Sequence, residues 1–279
     1  MRAWKRLRTS SDGDADVMLC LEYVDEVSAR DIARELVGTE DLNDEDDSDI
    51  LAHRVNGAKY ARVRGRRTMS LGGTVHEKMT VARDDFPRSV RRTMEAVSRD
   101  ATRALGDAKR ARGDARDGEN ETATRPLTLN HALVNVYERT DGIMAHEDGP
   151  LYRDCAAILS LGASRAMTFA PKRRAADDTD ARASTTAPES SSSSSFEVFL
   201  PHRSLLVFTG EAYRAYVHGI ARDVDVDVKS LGGAASLNPE DWPENADTAP
   251  RIGRRVSLTM RQVVTVSYTH LTLPTKRIV

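Results

Sequence analysis

The chain is poor in cysteine. Cys20 and Cys155 are the only two in 279 residues, too few for a disulfide framework or a cysteine-held zinc cluster, and they fit a reducing intracellular compartment, cytoplasm or nucleus. No run approaches the roughly eighteen apolar residues that a membrane span needs, and Met1 to Ser11 lacks the apolar stretch of a secretory signal. Neither sign of charge dominates: 41 Lys and Arg stand against 43 Asp and Glu, so bulk charge announces no nucleic-acid partner.

What is present suits one sizeable β-rich domain with an N-terminal extension. Short runs rich in β-branched residues, broken by Gly and Pro, predict strands over 133–137, 154–161, 165–170, 196–200, 204–208 and 256–266. Many short strands of this kind suggest a barrel or jelly roll rather than βαβ units. Ser28 to Val37 reads as a helix, with Ser28 to cap it, Asp31 in the place of a capping-box acid, Ile32 and Leu36 on one face and Gly38 to end it. From Arg88 onward Val90, Met94, Val97, Ala101 and Leu105 recur at helical spacing, the mark of a core-facing stripe. Thr68 to Asp85 reads as irregular around Leu71-Gly72-Gly73, and Asp107 to Thr124 as a polar linker. A low-complexity insert at 172–195 is too polar to pack and is expected to be disordered. Asp223, Asp225 and Asp227 resemble a calcium loop but lack its Gly and closing Glu.

The chemistry concentrates in Asn130 to Pro150. Leu133 to Tyr137 reads as a half-buried strand, Thr140-Asp141-Gly142 supplies a turn, and a second short strand delivers His146 and Asp148. Side chains two apart on a strand point to one face, so imidazole and carboxylate can grip one metal ion, with a third ligand from elsewhere. The plainer alternative makes Asp148 a turn-capping loop residue. Farther on, Arg255, Ser257, Thr259 and Arg261 alternate with Val256, Leu258 and Met260. A polar strand face turned into a barrel calls for a ligand, and a guanidinium meets a carboxylate with two parallel hydrogen bonds. Arg54, Lys59, Arg62, Arg64, Arg66 and Arg67 crowd into a basic stretch that reads either as a phosphate-holding patch or as a solvated face.

Asn135-x-Tyr137, His146-x-Asp148, a distant His218 and Arg255-x-Ser257-x-Thr259-x-Arg261 together resemble the AlkB family of Fe(II)/2-oxoglutarate dioxygenases, and within it the homolog-six branch. Without that resemblance His218 would read as an ordinary, partly buried histidine. The resemblance implies a mainly β (α+β) fold, a double-stranded β-helix jelly roll with N-terminal helices packed on it. It makes His146, Asp148 and His218 the Fe(II) ligands, a 2-His-1-carboxylate triad that leaves positions open for cosubstrate and O2. It makes Asn135, Tyr137, Arg255 and Ser257 the 2-oxoglutarate site, with Arg255 on the distal carboxylate, Asn135 and Arg261 nearer the iron, and no catalytic residue beyond the metal ligands. Most of the family carries Asn where Ser257 stands, which shortens that contact. Tyr60 to His76 would lie near the substrate, as part of a lid. The implied activity is oxidative demethylation of N-alkylated DNA or RNA, with the base single-stranded or flipped out. A protein or small-molecule hydroxylase, or a catalytically silent nucleic-acid-binding module, is the alternative. The expected layout is an extension over 1–125, a jelly-roll core over 126–266 and a non-native tail over 267–279, whose Ser-Tyr-Thr-His-Leu-Thr-Leu-Pro-Thr resembles translated sequencing-adapter sequence. His270 is therefore excluded as a ligand. A monomer away from membranes is expected.

Overall fold

The computed structural model describes residues 2–10, 15–42, 50–76, 81–110, 126–172, 194–222, 235–242 and 253–264. The N-terminal part supplies β1 (Lys5–Thr9), β2 (Ala15–Cys20), α1 (Glu26–Val37), β3 (Arg54–Val55), β4 (Ala58–Lys59), β5 (Ala61–Val63), β6 (Arg66–Leu71), β7 (Gly73–Thr74), β8 (Val81–Ala82) and α2 (Arg88–Arg110). Then come β9 (His131–Tyr137), β10 (Ile143–His146), β11 (Tyr152–Gly162), β12 (Arg165–Pro171), β13 (Phe196–Leu200) and β14 (Leu205–Thr209). The chain continues with α3 (Gly210–Arg214), β15 (Tyr216–Ile220), β16 (Ala235–Ser236) and β17 (Arg255–Val263).

Two sheets carry the architecture. The larger has eight strands in the order β1-β2-β14-β11-β17-β9-β6-β5, and the smaller has five in the order β10-β15-β12-β13-β16. All their pairings are antiparallel except β13 with β16. This is the mostly β, jelly-roll arrangement expected. Val17, Leu19, Ile158, Met167, Phe169, Phe196, Val198, Leu206, Phe208 and Ile220, contributed by both sheets, bury together as one apolar cluster. Alternate residues of the larger sheet, among them Val134, Val136, Leu159, Leu258 and Met260, bury instead against α1 and α2. Each such side chain withdrawn from water contributes about 1.5–3 kcal/mol, so the helices are held by their apolar faces.

Those faces follow the sequence. Ile32 and Leu36 of α1 and Val90, Met94, Val97 and Ala101 of α2 are buried, while Leu105 is only partly so. Gly38 ends α1 in the left-handed region at φ 84°, and its amide donates to the Arg34 carbonyl. The start of α1 differs from expectation. Asp25, not Ser28, is the cap: its carboxylate accepts from the Ser28 amide at 2.7 Å, and the helix begins at Glu26. With Asp25 as the cap, Ser28 falls at the third helical position, where its amide is one of the orphan donors that the cap satisfies.

The expected irregular stretch also contains a strand. In β6, Arg67, Met69 and Leu71 bury while Arg66, Thr68 and Ser70 remain half-buried, and the strand pairs with β9 along Arg67 to Leu71. Its polar alternate residues hide the pattern because they face the interior of the jelly roll. With β1, β2 and β5, it makes the N-terminal segment a contributor of four of the eight strands. No helix among the described residues is long and apolar enough to cross a membrane. α2 runs on to Arg110, through the first four residues of the expected linker; the rest of that linker, the insert over 173–193, the Asp223 to Asp227 loop and the tail over 267–279 lie outside the described residues.

Candidate active site

One strand irregularity aims the first histidine. Ile143 pairs with Ile220 and His146 with His218, so three steps along β10 match two along β15, and a bulge lies between. A bulge re-aims the side chain that follows it. Here Ile143 packs against the inter-sheet cluster and His146 still meets His218, with ring centroids 4.5 Å apart. Opposite the bulge stands Gly219, where a Cβ would lie 2.9 Å from the Ala145 amide nitrogen and from the Ile143 carbonyl oxygen. Only glycine lets the two backbones approach so closely. His218 itself is 5% exposed and lies against the rings of both Phe169 and Phe208.

Asp148 comes from the segment after β10, which ends at His146, so the two do not share one strand as expected. They converge all the same. Ligand atoms of His146, Asp148 and His218 all lie within 4.8 Å of one another, the one such group of metal-competent side chains among the described residues. Their chemistry fits a divalent metal. Burial lowers the proton affinity of both imidazoles, His218 to about 4, so each keeps a lone pair for a metal at neutral pH. The Met144 carbonyl lies 3.0 Å from His146 Nδ1, which places the proton there and leaves Nε2 as the ligand atom. Asp148 Oδ1 is 3.0 Å from Arg261 Nη2, while the buried Oδ2 has no hydrogen-bond partner.

At the other end of the same strand face sits Arg255, fully buried. Cross-strand register puts Arg255 opposite Tyr137 and Ser257 opposite Asn135, so the four residues named from sequence form a contiguous patch. Arg255 Nη2 donates to Ser160 Oγ at 3.0 Å and its guanidinium lies 5.2 Å from the centre of the Tyr137 ring, but Nε and Nη1 have no acceptor. Burial pushes the Tyr137 hydroxyl's pKa up, and neighbouring Arg255, Arg66 and Ser257 only partly oppose it, so the phenol stays a donor. Asn135 Oδ1 accepts from Arg66 Nε at 2.9 Å. Because an arginine can only donate, the Asn135 amide must turn its NH2 away from Arg66. Buried, unmatched donors of this kind require an anionic or carbonyl ligand.

A model of the 2OG-Fe(II) oxygenase superfamily matches residues 21–261. The chain belongs to that superfamily. A Danio rerio protein named "Probable RNA/DNA demethylase ALKBH6" is 30% identical over 226 residues, which span 80% of this chain and 82% of that one. The solved structure of OsALKBH1 superposes with a TM-score of 0.53 over 93% of this chain and 100% of its own, at 18% identity, a likeness of fold. As a 2OG-Fe(II) oxygenase the chain is a dioxygenase that uses Fe(II) and 2-oxoglutarate.

Several residues of this oxygenase site escaped the sequence reading. Ser160 is the single hydroxyl in the apolar run 155–161 and pairs with Ser257, a signal that was legible. His131 lies two and four residues before Leu133 and Asn135, hence on their face, and is buried. Tyr152 opens β11 beneath Arg261, whose guanidinium is 4.7 Å from its ring centre. The basic stretch does not act as one surface. Arg67 points away from the interior to pair with Glu138 at 3.0 Å, Arg66 turns inward to Asn135, and Arg54 holds the carbonyls of residues 51–53.

Proposed function

We propose that this oxygenase removes alkyl groups from nucleic-acid bases, with His146, Asp148 and His218 holding Fe(II) and Asn135, Tyr137, Arg255 and Ser257 holding 2-oxoglutarate. The observation that carries the site reading is Arg255, fully buried with two donors unmatched, on the strand face that also bears Arg261 beside Asp148. The substrate class is supported by the likeness to the Danio rerio protein named as an RNA/DNA demethylase.

When bound, iron, O2 and 2-oxoglutarate supply the oxidation: the cosubstrate loses CO2 to become succinate while one oxygen atom enters a substrate C–H bond. On an N-methyl group this gives an N-hydroxymethyl, which collapses to formaldehyde and the free N–H. The chain's residues orient and neutralise. Arg255 matches the distal carboxylate with two parallel hydrogen bonds, Tyr137 and Ser257 add hydroxyls, and Asn135 turns its NH2 towards the metal-proximal end. Arg261 neutralises one oxygen of Asp148 and leaves the other to ligate. Phe169 and Phe208 exclude water from around His218.

The test is succinate and formaldehyde release across methylated DNA and RNA oligonucleotides and methylated peptides. Formaldehyde stoichiometric with succinate on an oligonucleotide is expected; release on peptides alone would overturn the nucleic-acid reading and leave the dioxygenase intact.

A further inference from the structure

Ser70 Oγ lies 2.9 Å from the Gly73 carbonyl oxygen and 2.8 Å from His131 Nε2. A carbonyl can only accept, so the one hydroxyl proton of Ser70 goes to Gly73 and Ser70 must itself accept from His131. The imidazole proton is thereby fixed on Nε2. Nδ1 is left bare, and the Tyr152 hydroxyl, 3.5 Å away, donates to it in the longest link of the chain. Tyr152 in turn presents its ring to the Arg261 guanidinium at 4.7 Å, and Arg261 reaches Asp148 Oδ1 at 3.0 Å. From Gly73 to Tyr152 each side-chain proton has one acceptor, and that part of the chain has only one consistent direction.

We propose that His131 and Tyr152 are positioning residues for Asp148: they fix the aromatic ring on which Arg261 rests, and Arg261 then holds one carboxylate oxygen so that the other alone is offered to the metal. The inference rests on the reading of Asp148 as a metal ligand. Three features favour a built device over incidental packing. His131 is directly cross-strand from Arg261 in the β9–β17 register, so one backbone ladder sets both. The far end of the chain is the main-chain carbonyl of Gly73, the first residue of β7, an anchor that needs no further side chain. His131 is 3% exposed, and burial lowers its pKa to about 4, which keeps Nδ1 free to accept. The cation over the ring is itself attractive, by about 0.5–2 kcal/mol. Nevertheless, a ring free to tilt would let Arg261 swing and Asp148 turn both oxygens inward.

The experiment titrates Co(II), without O2 or 2-oxoglutarate, into wild type, His131→Leu, His131→Gln, Tyr152→Phe, the Leu/Phe double variant and Asp148→Ala, following affinity and the visible cobalt bands. Partners of ligating groups typically cost 10–100-fold in metal affinity when removed, so His131→Leu and Tyr152→Phe are expected near the low end, about tenfold weaker with altered bands. His131→Gln keeps a donor for Ser70 and an acceptor for Tyr152 and should stay close to wild type. The double variant should bind no more weakly than Tyr152→Phe alone, because His131 acts through that ring. If Asp148→Ala loses cobalt while His131→Leu and Tyr152→Phe bind as wild type does, or while Gln is as weak as Leu, the positioning proposal fails and the metal site stands. Cobalt binding undiminished in Asp148→Ala would overturn the ligand reading and the proposal together. Tyr152 is half-buried, so Tyr152→Phe decides the matter even if His131→Leu does not fold.

Discussion

Buried arginines in this chain divide by what they touch. Arg67 and Arg254 both reach the Glu138 carboxylate, at 3.0 and 2.9 Å, on the helix-facing side of the larger sheet. Arg255, the next residue, points the opposite way and finds the Ser160 hydroxyl and the Tyr137 side chain but no carboxylate. An arginine that keeps its charge without a carboxylate is held for a ligand, so replacing it should be felt in binding more than in folding. If Arg255 binds 2-oxoglutarate as proposed, Arg255→Leu leaves its distal carboxylate buried without a partner, a loss of about 2–5 kcal/mol, or on the order of thirtyfold to several thousandfold in affinity. Arg255→Lys should lose less, since charge remains and only the fork is lost. Titrating 2-oxoglutarate into the Fe(II)-loaded, oxygen-free protein and following the metal-to-ligand charge-transfer band measures this. Equal affinities in all three proteins would place the carboxylate elsewhere. At this scale much of the site was legible: alternation put Arg255, Ser257 and Arg261 on one face and Asn135 with Tyr137 on another, and register joined the two. Ser160 and His131 were missed because each is a lone polar residue whose meaning comes from its neighbour across the ladder, which one strand's sequence does not contain.

Among the elements, β10 is the one most specialised for its task. It is the edge strand of the smaller sheet, only four residues long, and its bulge is what keeps both Ile143 and His146 turned inward. Sequence reading anticipated a strand that carries His146 and Asp148 on one face. It could not foresee the bulge or the strand's end at His146, because both depend on the close approach that Gly219 allows from β15. The same limit applies to β6, whose inward polar residues look like loop sequence until β9 lies beside them. Gly219→Val should therefore act locally. Its side chain would be driven into the backbone of residues 143–145, push β10 away and separate His146 from His218. Metal affinity should fall at least tenfold, the scale on which disturbing a ligand's support acts. Overpacking typically costs about 1–3 kcal/mol, so the unfolding midpoint should drop modestly, as an edge strand permits. Calorimetric titration with Mn(II) beside urea unfolding checks both; unchanged metal affinity would mean that β10 yields without moving His146.

Over the whole molecule, the two sheets enclose a space that is apolar through most of its length and polar along β17 and β9, and groups buried there tie stability to pH. The fold class was legible because it needs only the spacing of strands and turns. That residues 5–71 contribute half of the larger sheet was not, since pairing of β2 with β14 and β6 with β9 joins segments far apart in the chain. One consequence of enclosure can be measured. His131 is held neutral, with its pKa lowered to about 4 by burial first and by Arg261 second. In the unfolded chain it takes up a proton near pH 6.5, so between those values the unfolded state binds one proton more and stability is lost as pH falls. From pH 7 to pH 5 this single group should cost about 2 kcal/mol. His131→Gln removes the titration while keeping the hydrogen-bonding pattern, so other ionisable groups contribute equally to both proteins and cancel in the comparison. Urea unfolding of the metal-free wild type and variant at pH 7, 6 and 5 should give curves of stability against pH that converge or cross as pH falls, the wild type losing more. Parallel curves would mean that His131 takes up its proton as readily in the folded state as in the unfolded chain, and that burial does not hold the imidazole neutral as pH falls.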